Sequence, residues 1–387
     1  MPETRVIIVE ARPVRRQRLV ALITADPRAC LVTSCATLME AYTQIEAEVP
    51  EIVLVSQRMA AAPEYAMLAR LIEILDVRPI SYVEDLPEEQ ILTQIWTRRS
   101  EDLPAGGTVG KPADGIHGQN LGAAALRRSR PDDAHLPQKS DLSPIRAAIR
   151  RPPSLSAQPR AMAQNQTERK RSLSEPLTHD RAGRPGNQEV FILIGASTGG
   201  VEALHQVLPS FPTDCPPVVV VQHIRGSFSA SFAERLDRIC AARVIEARSG
   251  VPLMQGQILI APGDATHLVL AGRHPVQGQL VAGPSVSGHR PSVDALFDSA
   301  LPFAERVVAA LLTGMGSDGA RGLLALKNAG AHTLAQDRES STVYGMPRVA
   351  AELGAASRIL PLTQMAHALL TAARDKAGHR AAAVNPR

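Results

Sequence analysis

One stretch constrains this chain more than any other: Phe191-Ile192-Leu193-Ile194-Gly195-Ala196-Ser197-Thr198-Gly199-Gly200, followed by Val201-Glu202-Ala203-Leu204. Four apolar residues predict a buried parallel strand, a turn of small residues delivers one hydroxyl, and a helix begins. Gly195-Ala196-Ser197-Thr198-Gly199 fits G-x-S-x-G, in which a serine sits on a sharp strand-to-helix turn at the carboxyl edge of a sheet. Small neighbours are needed there because the turn is tight and a substrate must approach the backbone closely. A turn of this composition can also simply join strand to helix, or cradle a phosphate on the helix N-terminus. The choice depends on what the rest of the chain supplies.

Its 387 residues suggest two to three domains at about 150 residues each. A hydrophobic content of 44% allows a sizeable core. The cysteines are Cys30, Cys35, Cys215 and Cys240, with no C-x-x-C pair, which argues against a disulfide framework or a structural zinc site and fits a reducing cytoplasm. The apolar run near the N-terminus is too short for a signal peptide, and no stretch approaches the ~20 apolar residues of a membrane helix. The expectation is a soluble, cytoplasmic protein without membrane insertion.

The basic balance has a local origin. Residues 113–187 hold thirteen Lys and Arg against seven Asp and Glu, a net of +6, where the whole chain carries +4. That segment contains no Phe, Trp or Tyr on which bases could stack, so a nucleic-acid partner is disfavoured.

Residues 1–112 alternate strands and helices. Strands are predicted at Arg5–Val9, Leu31–Thr33, Glu51–Val55 and Pro79–Val83, and Thr108–Gly110 ends a fifth. Helices are predicted at Val14–Thr24, Leu38–Ala47 and Pro63–Leu75. The pattern is that of a doubly wound parallel sheet, flavodoxin-like. In length, element order and Lys111-Pro112 after the last strand, this segment resembles the receiver domain of response regulators. It departs from that family where receiver chemistry resides. Glu10-Ala11 stands where receivers carry an acidic pair, and Ser56 stands at the phosphoacceptor aspartate position. A serine hydroxyl cannot form the acyl phosphate of a carboxylate, and a divalent metal finds too few carboxylates there. The segment reads as a pseudo-receiver, with an unrelated flavodoxin-like domain as the alternative.

Residues 113–187 are rich in Arg, Pro, Ser, Ala and Gln. Leu121–Arg130 is a candidate last receiver helix, and the disordered basic linker is assigned to 129–187. As a flexible coil of roughly sixty residues it would span about 45 Å.

From Glu189 the pattern becomes α/β again, with all six phenylalanines. Strands are predicted at Val190–Ile194, Val218–Gln222, Arg243–Glu246, Ile258–Ala261, Leu268–Leu270, Val307–Thr313, His332–Ala335 and Arg358–Leu360, with an antiparallel ribbon around Ile258–Ala282. Helices are predicted at Gly200–Leu208, Ser229–Ala241, Val293–Leu301, Gly319–Ala329, Pro347–Leu353 and Leu362–Lys376. The expected organisation is a receiver-like domain at 1–128, the linker, a mostly parallel α/β domain with its ribbon at 188–376, and a flexible tail at 377–387.

A nucleophilic Ser197 needs a base, and the base an orienting acceptor. His223 follows the apolar run Val218–Val221 and Gln222, so it belongs at the same carboxyl edge, where open α/β sheets build their sites. A lone histidine is otherwise a surface or core residue. His205 falls on the helix after the turn, His267 and His274 in the ribbon, and His332 before a strand, all away from that edge. Gly314-Met315-Gly316-Ser317-Asp318-Gly319 is a second glycine-rich edge turn. Asp318 is either the third partner or the N-cap of the helix that follows.

Residues 188–376 resemble the catalytic domain of the chemotaxis protein-glutamate methylesterases. The matching stretches are Ile194–Gly200, Gln222-His223, Ser231–Leu236, Ile260–Gly263, His289-Arg290-Pro291-Ser292-Val293-Asp294, Leu312–Gly319 and Tyr344–Pro347, in that order and spacing. A receiver-like domain in front is also that family's arrangement. The resemblance implies hydrolysis of glutamyl methyl esters on methyl-accepting chemotaxis receptors, with receptor glutamine deamidation as a second activity. It implies Ser197 as nucleophile, His223 as general base and acid, Asp318 as its orienter, Thr198 and Met315 at oxyanion and substrate-contact positions, and no metal or organic cofactor. Ile224-Arg225 and Ser287-Gly288 depart from the family's usual residues and bear on receptor docking. In the family the receiver covers the active site until phosphorylation frees it; with Ser56 in place that switch is expected to be lost. A chemotaxis histidine kinase or adaptor is a further candidate partner. The rival readings are a catalytically idle receptor-array adaptor and a nucleotide phosphate loop; the latter lacks the lysine of a Walker motif.

Overall fold

A computed structural model of the chain describes residues 3–97 and 190–384, apart from positions 225, 264, 273 and 274. The expected strand end at Thr108–Gly110, Lys111-Pro112, the Leu121–Arg130 helix, the 129–187 linker and His274 lie outside the described residues.

The N-terminal part runs β1 (Thr4–Val9), α1 (Pro13–Ala25), β2 (Ala29–Cys35), α2 (Leu38–Glu48), β3 (Ile52–Ser56), α3 (Gln57–Ala60), α4 (Tyr65–Leu75), β4 (Arg78–Tyr82) and α5 (Glu88–Thr97). Its described strands pair in parallel in the order β2-β1-β3-β4. Residues 52–56 of β3 are buried throughout, which explains their near-continuous apolar run. Helix α2 starts on Thr37, whose hydroxyl accepts from Glu40 N at 3.1 Å, while the Glu40 carboxylate accepts from Ala36 N at 2.8 Å. That reciprocal cap fixes the entry of α2. Sequence periodicity did not reveal α3, which is one turn long, or α5.

The C-terminal part runs β5 (Phe191–Ala196), α6 (Gly200–Val207), β6 (Val218–Gln222), α7 (Gly226–Ile239), β7 (Arg243–Glu246), β8 (Val251–Pro252), β9 (Gln257–Ile260), β10 (His267–Ala271), β11 (Gln277–Val281), α8 (Val293–Ser299), β12 (Val307–Leu311), α9 (Ala320–Asn328), β13 (His332–Gln336), α10 (Met346–Glu352), β14 (Arg358–Leu360) and α11 (Leu362–Val384). Seven strands form a parallel sheet in the order β14-β13-β12-β5-β6-β9-β7. The antiparallel ribbon is β10 and β11 with β8 at its edge. It is narrower than the predicted Ile258–Ala282, because β9 lies in the parallel sheet between β6 and β7. Helix α11 continues to Val384, past the residue 376 at which the sequence reading ended the domain.

Strand β5 is the point where the order reverses: β6 follows it on one side and β12 returns on the other. Ligands of open α/β sheets collect at the carboxyl ends of strands at such a point. The three candidate side chains come from the turns after β12, β5 and β6.

One apolar core extends through both parts. It joins Ala41, Tyr42 and Ile45 of α2 and Leu71 and Leu75 of α4 to Val201 and Leu204 of α6 and Phe232 of α7. Polar and cation–π links reinforce the boundary. Arg235 donates to Ile74 O at 2.8 Å, Arg70 Nε lies 3.4 Å from Glu202, and the Arg5 guanidinium lies over the Phe228 ring.

Candidate active site

Ser197 leaves the buried strand β5 at the tip of its turn. Its N–H donates to Thr313 O at 3.0 Å, and its carbonyl accepts from Gly200 N at 2.7 Å and Gln222 Nε2 at 2.9 Å. The same Gln222 amide reaches His223 O at 3.2 Å, so one buried side chain ties the serine turn to the histidine turn. Gly314 permits the approach of the third turn, since a Cβ there would lie 2.7 Å from Ser197 Cβ. Gly199, at φ 85°, adopts the left-handed conformation that starts α6.

His223 is set at the end of β6 by its N–H, which donates to Ala196 O at 3.1 Å. Its Nε2 bonds Asp318 Oδ2 at 2.9 Å. Its Nδ1 is buried without a hydrogen-bond partner, and the ring shares a cavity of about 540 Å³ with Ser197, Thr198, Met315 and His289.

Asp318 does not cap its own helix: Gly319, at φ 85°, is the N-cap of α9. The Asp318 carboxylate instead crosses to the start of α8, accepting from Val293 N at 2.7 Å, Asp294 N at 3.0 Å and Ser292 Oγ at 2.8 Å, besides His223. Burial pushes its pKa up, but the bond from His223, that ring's charge and the two amides together hold it below the ordinary carboxylate value. Asp294 beside it shifts the other way, raised by burial and by the Asp318 charge.

The sequence reading thus finds its three principal residues on one edge. Thr198 and Met315 line the cavity, the first buried and the second 65% exposed at its rim. His267 is a satisfied core histidine: Nδ1 accepts from Ser292 N at 3.2 Å and Nε2 bonds Pro284 O at 2.9 Å, which steadies the α8 terminus. The reading assigned no role to His289, Ser292 or Gln222, although all three lie in stretches it singled out. It missed Glu46, a carboxyl from α2 that lines the same cavity. The available signal was a charged residue on the stripe of Ala41, Tyr42 and Ile45.

The CheB methylesterase family profile matches residues 192–369. A protein-glutamate methylesterase/protein-glutamine glutaminase of Agrobacterium fabrum is 38% identical over 374 residues, covering 95% of this chain and 95% of its own. The corresponding enzyme 1 of Caulobacter vibrioides is 37% identical, covering 96% of this chain and 98% of its own. The chain belongs to the CheB methylesterase family. A solved structure, the Thermotoga maritima CheB methylesterase catalytic domain, is 36% identical and covers 47% of this chain and 98% of that one, with a TM-score of 0.46.

The receiver-like part has a pocket of its own, lined by Glu10, Arg12, Ser56 and Glu84. Ser56 is buried at the end of β3. Glu10, at the end of β1, is fully engaged: Arg12 N and Nε donate to one oxygen at 2.9 and 3.2 Å, and Arg12 Nη2 and Tyr82 OH to the other at 3.1 and 2.7 Å. Burial raises the Glu10 pKa, and these bonds outweigh it, leaving it below the usual value. The Arg12 guanidinium, also 4.0 Å from Glu84, puts a fixed positive charge among the acids of this pocket. These residues do not fit a divalent cation.

Proposed function

We propose that this chain hydrolyses glutamyl methyl esters on chemotaxis receptors, giving glutamate and methanol, and that receptor glutamine enters the same acyl chemistry to release ammonia. The supporting observation is the His223 ring, bonded through Nε2 to a buried carboxylate, its Nδ1 without a partner, in a residue that lines one cavity with Ser197.

Ser197 Oγ bonds to the ester carbonyl carbon as its proton passes to His223 Nδ1. The intermediate collapses, the bond to methoxide breaks, and the proton on Nδ1 leaves with it as methanol. Water then adds to the acyl-serine and gives a proton to Nδ1, which returns it to the departing serine. Asp318 stays ionised throughout, holding the tautomer and stabilising the imidazolium. Thr198 and Met315 take the oxyanion and substrate-contact positions. This chemistry needs no metal or organic cofactor. Phosphorylation at position 56 has no part in regulation, and a chemotaxis histidine kinase or adaptor acts, if at all, by binding the receiver-like domain.

Ser197→Ala in the full chain is expected to lower methanol release from methylated receptor by at least about 10⁴-fold. Release at the wild-type rate overturns the assignment. Binding of receptor by the wild type without turnover would leave an adaptor role in its place.

A further inference from the structure

Ser287 and Asp294 stand beside the cavity that Ser197 and His223 line, and neither belongs to its wall. Their contact shapes that wall from behind. Val286 and His289 bond each other twice, each N–H donating to the other's carbonyl at 3.0 Å, so Ser287 and Gly288 form a two-residue turn. Both have positive φ, 52° and 82°, the φ signature of a type I′ turn. Gly288 takes that conformation freely, whereas the side chain of Ser287 resists it. The Ser287 hydroxyl donates to Asp294 Oδ2 at 2.8 Å, a charge-assisted bond that offsets the strain.

Asp294 is itself firmly held. It lies buried in the first turn of α8, where its other oxygen accepts from Gly322 N of α9 at 2.7 Å and the Arg321 guanidinium is 3.6 Å away. Burying a carboxyl is costly unless its oxygens are paired, and here both are. Its own N–H donates to Asp318 Oδ1 at 3.0 Å. One side chain thus fastens the turn before His289 to the helix whose start seats Asp318 and to the helix that follows Asp318. That turn ends in His289, whose ring stacks on His223.

We propose that Ser287 and Asp294 are positioning residues for the ester hydrolysis: through the turn they fix the plane of His289, and through it the plane of His223. The inference rests on the methylesterase reading above. The sequence reading turned Ser287-Gly288 toward receptor docking. The hydroxyl is instead bonded inward to Asp294, so its removal acts on turnover rather than on receptor binding.

The test uses full-length protein with methylated receptor as substrate. Ser287→Gly keeps the positive φ and removes the hydroxyl; Ser287→Asn tolerates the same φ and supplies an amide donor in its place. Ser287→Gly is expected to lower kcat about two- to fivefold with KM within about twofold of wild type, and Ser287→Asn to recover most of the loss. A raised KM at unchanged kcat would assign the turn to docking and overturn the proposal. Added to His289→Ala, the glycine substitution is expected to lower kcat no further, because the ring through which it acts is gone. Additive losses overturn the proposal. NMR reads the stack without turnover, since each imidazole shields the carbon-bound protons of the other. Those resonances should lie upfield in wild type, move downfield in Ser287→Gly and return in Ser287→Asn. Asp294→Asn, left with one acceptor oxygen for two donors, should move them downfield as well. Resonances in Ser287→Gly that match wild type overturn the proposal. If wild type releases no more methanol than Ser197→Ala, the methylesterase reading fails, and the resonances still decide whether Ser287 holds the ring.

Discussion

The imidazole of His289 lies flat against that of His223, with ring centroids 3.8 Å apart and planes 8° apart. Burial, and then the neighbouring His223 charge, bring the His289 pKa down to about 4. At neutral pH the stack therefore sets a neutral ring against the one proposed to carry the proton. Such a pair is worth about 0.5–1.5 kcal/mol beyond the area it buries. His289→Ala is expected to lower kcat about three- to tenfold, with a smaller effect on KM, because His223 loses a flat wall that fixes its plane. His289→Phe, which restores the wall without a titrating group, should recover most of the loss. Steady-state kinetics of both variants check this.

Asp318→Asn probes the tautomer. The carboxylate accepts four bonds, from Val293 N, Asp294 N, Ser292 Oγ and His223 Nε2. An asparagine amide must turn its NH₂ toward some of these donors. With NH₂ facing Nε2, the ring proton shifts to Nδ1 and the base is lost, a change expected to cost about 10⁴-fold in kcat. If the amide instead faces the helix start, amides buried there lose their acceptor, costing about 1–3 kcal/mol of stability. Methanol-release kinetics and a thermal melt of the same preparation distinguish the two.

The long elements, and the edge on which Ser197, His223 and Asp318 meet, were legible because pattern and chemistry coincide there. Runs of four or five apolar residues read as buried strands, and the ends of three of them, β5, β6 and β12, meet on one edge, two of them in glycine-rich turns. The supporting residues were less visible. Gln222 and His289 act through contacts that no spacing rule encodes, and Asp318 reads locally as a helix cap although it caps another helix. Glu46 was hidden because its partners lie 153 and 155 residues away, across a boundary between parts that sequence reading treats separately.

Gly314→Ala tests how tightly the turns are packed. The added methyl would meet Met346 Sδ and stand 2.7 Å from Ser197 Cβ and 3.1 Å from Ser197 N. The serine turn itself would have to move. Overpacking of this kind costs about 1–3 kcal/mol, and a misplacement of about 1 Å at the nucleophile costs about 10²-fold in rate. A folded protein with wild-type kcat would show that the turn yields without displacing the hydroxyl.

The receiver-like pocket predicts a failure and a difficult rescue. Wild type is expected to take no stable phosphate from a phosphorylated chemotaxis kinase. Ser56→Asp alone should not restore transfer, because Arg12 remains bonded to Glu10 through both of its oxygens. Transfer should first be detectable when Arg12→Ala is combined with Ser56→Asp, freeing Glu10 to help hold a divalent cation. Labelled phosphate retained on each variant gives the answer, and labelling of wild type would overturn the pseudo-receiver reading.

Burial pushes the Glu46 pKa up to about 8, against the opposing pull of the Val201 and Gly199 amides. Released into solvent, the group returns to an ordinary glutamate value of about 4.3. A group whose pKa is raised in the closed state stabilises that state fully below its open-state pKa and loses this contribution as pH rises toward the closed-state value. The closed arrangement should therefore weaken between about pH 4.5 and 8. The other groups facing Glu46 are Glu202 on α6, paired with Arg70 of α4, Tyr42 on its own helix, and His223 and His289 across the cavity. Tyr42, driven far above its usual value by burial, stays neutral throughout this range. The histidine contributions are shared by wild type and Glu46→Gln, so they largely cancel in the difference between the two proteins' melting temperatures. The wild-type melting temperature should fall relative to that of Glu46→Gln as pH rises from 5 to 8 and level off above; a constant difference would mean that Glu46 does not change its protonation when α2 leaves α6.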